Sequence, residues 1–112
     1  MVFDVQVDPG PVLFLALEDS PRRVKDRLVK MGIRPGAPIV FYNRWKPFHK
    51  GGLEDLLNEM MITNYRLVVV DTWKRATAGL DSMKNEAELS TIFDQLQRFS
   101  INKNMGLLII DH

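Results

Sequence analysis

Three apolar runs of this chain end in groups that can hold a metal ion or move a proton. VLFLAL (12–17) ends in Glu18-Asp19-Ser20, LVVV (67–70) in Asp71-Thr72, and GLLII (106–110) in Asp111-His112. A carboxylate beside a hydroxyl suits Mg²⁺, which prefers hard oxygen ligands and keeps several of its waters. A second carboxylate can polarise an attacking water, and a histidine can hydrogen-bond a phosphate. There is a plainer reading of each residue: polar groups gather wherever a chain leaves the core. Convergence of all three run ends on one edge is what favours chemistry.

The elements behind these residues follow from hydrophobic spacing. The three runs and PIVFY (38–42) are continuous rather than alternating, which suits strands covered on both faces in a parallel sheet. Helical spacing separates them. A first helix begins at Ser20 as N-cap with Pro21 in its first turn, carries Val24, Leu28 and Met31 as its stripe, and closes at Gly32. A second, near 53–63, places Leu53, Leu56, Leu57, Met60 and Met61 in the core. A third, near 86–101, turns Leu89, Ile92, Phe93, Leu96 and Phe99 inward.

Strand, helix, strand, helix, strand, helix, strand describes a doubly wound α/β fold with a parallel sheet and helices on both faces. The C-terminal ends of parallel strands share one edge, where such folds keep their ligands. Two segments there are longer than packing needs, 43–52 and 73–85, and both carry aromatic or basic residues.

The whole reads as one domain, 1–112, with a lead-in over 1–11 and a core over 12–112. A chain of this size buries roughly two thirds of its unfolded surface, enough for a real core. The net charge of +1 gives no global electrostatic case for nucleic acid or an anionic membrane. The absence of cysteine excludes disulfides and thiolate metal sites. No run approaches the ~20 apolar residues of a membrane span and the first residues do not pattern as a signal peptide, so a cytoplasmic location is expected. The chain stops at Asp111-His112 directly after a strand, which suggests a fragment.

Other candidates have bland explanations. Arg22, Arg23, Lys25, Arg27 and Lys30 read as the solvated face of the first helix. His49 is a loop histidine without an evident partner. Lys74, Arg75 and Lys84 are balanced by Asp81, Glu86 and Glu88, which argues against a simple phosphate-binding patch there.

VLFLALEDSPRRVKDRL, RLVVVDTWKRATAGLD, the acidic helix start NEAEL and GLLIIDH together resemble the RecA-like P-loop ATPases of the AAA_25 group, similar to hexameric replicative helicases of plasmid RepA type. The resemblance covers about residues 12–112. It implies a truncated RecA-like core with strand order 2-1-3-4. It further implies Glu18 as the catalytic residue orienting the attacking water, Asp71 as the Walker B aspartate holding Mg²⁺ through water with Thr72 beside it, and His112 as a sensor of the γ-phosphate. ATP and Mg²⁺ are then the cofactors. DNA is reached through residues 73–88 in a ring of identical chains, with replication, recombination or repair as the setting.

The phosphate-binding loop G-x-x-x-x-G-K-[ST] of such ATPases does not occur in this sequence, so the chain alone is expected to be inactive. By the same pattern the strand bearing that loop would pair with 106–111, and the alternating Val2–Val7 segment or a second copy would otherwise cover that edge. Two further readings share some of these residues. A receiver domain has an acidic pair after its first strand, as at Glu18-Asp19, and a phosphoacceptor aspartate after its third, as at Asp71. A non-catalytic α/β interaction module is the other.

Overall fold

The computed structural model describes residues 10–17, 21–30, 32 and 38–111, and within 21–30 the side chains of 22, 23, 26, 29 and 30. The helix stripe of Val24, Leu28 and Met31, the cap Ser20, the side chains of Lys25 and Arg27, and the Val2–Val7 segment lie outside the described residues.

The four apolar runs form β1 (Val12–Ala16), β2 (Ile39–Tyr42), β3 (Leu67–Asp71) and β4 (Gly106–Ile110). They make one sheet in the order β2-β1-β3-β4, parallel at every pairing. This is the expected fold class and order. The helices are α1 (Pro21–Lys30), α2 (Gly52–Ile62), α3 (Trp73–Ala76) and α4 (Glu86–Asn102). Three of them match the periodic segments. The short α3 and a 3-10 turn over Phe48–Lys50 occupy what sequence spacing leaves as loop.

Alternation along the strands divides the core. Leu13, Leu15, Val68 and Val70 face Leu53, Leu56 and Met60 of α2 and Ile92 and Leu96 of α4. Phe14, Ala16 and Val69 face the other way, with Ile39, Phe41, Leu108 and Ile110 packed around them. The connections explain this split. The β2–β3 and β3–β4 crossovers step the same way along the sheet and so share a face when right-handed. The β1–β2 crossover through α1 steps the opposite way, which puts it over the opposite face. All five residues of β1 are buried, as a central strand covered on both sides requires.

Helix ends follow local chemistry. Gly32, at φ 82°, ends α1 with its N–H on the Val29 carbonyl at 3.0 Å. Glu54 and Asp55 in the first turn of α2, and Glu86 and Glu88 in that of α4, complement the positive ends of those helices. Arg22, Arg23 and Lys30 are exposed, as a solvated face predicts.

Two expectations from helical spacing fail. Met61 is 61% exposed while Met60 is fully buried. Adjacent residues lie about 100° apart around a helix, so 53, 56 and 60 fill the inward stripe and 61 is turned out of it. Phe93 lies at the rim, 37% exposed, because α4 there overhangs Trp73 rather than the sheet.

Candidate functional site

The central position of β3 delivers Asp71 and Thr72 to the C-terminal edge with strands on both sides. In register, Asp71 lies between Ala16 of β1 and Ile110 of β4. The Leu17 N–H donates to the Asp71 carbonyl at 2.7 Å, so β1 leaves the sheet directly beside Asp71. The carboxylate belongs by alternation to the face of Val69 and Ala16. Ala16 keeps only a methyl group at that spot.

Asp71 is 0% exposed and Thr72 1%, and both have interactions inside the protein. The Thr72 hydroxyl oxygen accepts from the Arg75 N–H at 3.3 Å and so caps α3. Thr72 therefore has a structural role whatever else it does. The Asp71–Thr72 peptide is cis. Asp111 follows β4 and is exposed, one residue past the level of Asp71. Glu18 and His112 lie outside the described residues, so of the expected site the structure places Asp71 and Thr72.

Sequence reasoning missed the aromatic bracing of this edge. Trp73, immediately after Thr72, meets Phe48 edge-on at 5.9 Å and Phe93 edge-on at 5.8 Å. It thereby joins the strand end to the 43–52 segment and to α4. Tyr42 meets Trp45 at 5.0 Å, and the Trp45 indole N–H donates to the Gly52 carbonyl at 2.8 Å. The signal was present as aromatic residues in both long segments, but spacing alone does not say which of them pair.

His49 packs against the second segment: its Nε2 is 3.4 Å from where a Cβ on Gly79 would sit. Its Nδ1 is buried without a hydrogen-bond partner among the described residues. Asp81 accepts from the Met83 and Lys84 N–H groups at 2.7 and 3.2 Å, which makes it a turn former.

The donor set at the β3 end is a carboxylate and a hydroxyl, both hard oxygens. Among the described residues no three His, Asp or Glu side chains gather into a metal cage. The carboxylate and hydroxyl themselves suit Mg²⁺, which is commonly held by one or two carboxylates plus waters and substrate phosphates.

The model of the AAA_25 family, described as an AAA domain, matches residues 1–112. The chain belongs to this family. Comparison with curated proteins gives no match. Membership makes this an ATPase-type domain and sets the receiver reading aside. Among the described residues no helix is long and apolar enough to cross a membrane.

Proposed function

We propose that residues 1–112 form part of one RecA-like ATP-hydrolysing domain, the part that carries the water-side and metal-side groups. The observation behind this reading is the placement of Asp71-Thr72 at the end of a central parallel strand, between the strand that leads to Glu18 and the one that leads to His112. In this reading Glu18 holds the attacking water and accepts its proton. Asp71 orients a water of a bound Mg²⁺, Thr72 fixes the strand end by capping α3, and His112 hydrogen-bonds the γ-phosphate. Mg²⁺, when bound with ATP, neutralises charge on the phosphates during transfer.

The phosphate cradle must come from a segment outside this sequence, because no glycine here precedes a lysine. The open side of β4 supports an added strand there, since no described strand pairs with it. Beside it a groove of about 350 Å³, lined by Phe93, Gln97, Ile101, Met105, Leu107 and Ile109, has the apolar character a covering element needs. We place the parent among cytoplasmic homo-oligomers acting in DNA replication, recombination or repair, with residues 73–88 turned to DNA.

The test joins this chain to a strand–loop–helix unit bearing G-x-x-x-x-G-K-T. Glu18→Gln in that polypeptide should bind ATP and release no phosphate. Turnover that survives the substitution removes Glu18 from the water-activating role.

A further inference from the structure

The segment from Pro38 to Leu53 contains Arg44, Lys46, His49 and Lys50 and no acidic residue. Within it, cations and aromatic rings alternate: Arg44, Trp45, Lys46, then Phe48, His49, Lys50. The structure sorts the two kinds. Phe48 is buried at 2% exposure and Trp45 is half-buried with its N–H bonded to the Gly52 carbonyl, whereas Arg44, Lys46 and Lys50 are exposed.

The backbone of this loop is fixed as well. Gly51 adopts φ 96°, a left-handed conformation that side chains disfavour. A Cβ on Gly52 would collide with the Lys46 carbonyl oxygen, so the loop closes tightly on itself. Its outward cations therefore sit on a scaffold that need not be ordered on binding, which lowers the entropic cost of association.

This loop abuts the other long segment of the edge through Phe48 against Trp73 and His49 against Gly79. That contact brings Lys74 and Arg75, also exposed, to the same end of the sheet. The acidic groups around these cations include Glu54, Asp55 and Asp81, with Glu86, Glu88 and Asp94 on the α4 side of Lys74. Asp55 pairs with Lys46 at 3.7 Å, and Asp81 is engaged in its turn. Among the described residues Arg44, Lys50 and Lys74 make no ion pair. The 43–52 stretch itself carries three cations and no acidic residue, and local charge rather than the total decides polyanion binding.

We propose that the 43–52 loop is a preformed contact for the phosphodiester backbone of single-stranded nucleic acid, with Arg44 and Lys50 on successive phosphates and Lys74 extending the track. The inference extends the nucleic-acid part of the proposed function, on which it rests for the choice of nucleic acid over other polyanions. It assigns binding to a loop that reading does not use.

The test is fluorescence anisotropy of a labelled oligothymidylate of about 20 nucleotides with the intact chain at low salt. Arg44→Ala/Lys50→Ala should weaken binding on the order of tenfold and lower the salt slope by about 1.4, the loss of two contacts on a single strand. Arg22→Ala/Lys30→Ala, which removes the same charge from α1, should leave both quantities unchanged. Equal weakening by the two double variants means diffuse attraction and overturns the proposal. If instead only Lys74→Ala/Lys84→Ala weakens binding, the 43–52 loop is excluded while the wider nucleic-acid reading stands. No binding at all removes both. Displacement by millimolar-range ATP, or preference for phosphatidylserine vesicles, assigns the loop to another phosphate source and likewise overturns it. The substituted side chains are exposed, and circular dichroism checks that each variant is folded.

Discussion

Ala16 and Asp71 are register partners in the parallel pairing of β1 with β3, and the next residue of β1, Leu17, donates its N–H to the Asp71 carbonyl at 2.7 Å. On the β1 side only a methyl group stands beside this fully buried carboxylate. Ala16→Leu should therefore destabilise the domain by about 1–3 kcal/mol through overpacking. Urea unfolding measures this. An unchanged midpoint would show that the Asp71 neighbourhood has room to spare.

Tyr65 gives the fold a defined alkaline limit. Burial, reinforced by donation of its hydroxyl to Glu59 at 2.8 Å, pushes its pKa up to about 12 from the ordinary 10.0. A raised folded pKa means that the folded state holds its proton more tightly than the unfolded chain. The resulting stability is complete below pH 10 and disappears as pH rises from 10 towards about 12. In Tyr65→Phe, unfolding free energy should be lower at neutral pH and flatter across that window. An equally steep alkaline loss in the variant would assign it to other groups.

Met60 and Met61 are neighbours with opposite fates. Met60→Ala should cost about 2–5 kcal/mol, the usual range for a buried methionine, because its side chain is wholly enclosed. Met61→Lys should change stability by no more than about 0.5 kcal/mol, as surface substitutions do. Comparable losses from both would contradict the helix orientation.

The 112-residue chain should not hydrolyse ATP on its own. Positioning and charge neutralisation of the phosphates dominate phosphoryl transfer, and the sequence has no Gly-Lys loop to provide them. A phosphate-release assay checks this against a blank without protein. Release that Glu18→Gln abolishes would reveal a phosphate site of a different kind.

Among the described residues β4 ends the sheet with an apolar, uncharged strand, and Ile101 on α4 is 68% exposed beside it. Such edges recruit another chain. In this chain as it stands, copies should associate, and Ile101→Glu should shift sedimentation towards monomer without unfolding an already exposed position. A wild-type monomer at high concentration is the opposing result.

The amino-acid sequence alone determined the four strands, the three longer helices and their order along the chain. LVVV is too continuous for a half-exposed strand, and runs of this kind separated by amphipathic stretches can be joined only by crossovers, which makes the sheet parallel. The same locality put Asp71 at a strand end and marked both long segments of the ligand edge. It did not determine which side chains those segments bury. Phe48 and Trp45 lie in one cationic stretch, yet one is enclosed and the other half-enclosed, because Trp73 reaches Phe48 from a distant part of the chain while Trp45 is held by the Gly52 carbonyl of its own loop. Met61 satisfies an apolar stripe on paper and faces solvent in the fold, because among the described residues nothing packs against that side of α2. Spacing reports where a side chain points on its own element. Whether something meets it there depends on residues distant in sequence, and only the tertiary structure brings those together.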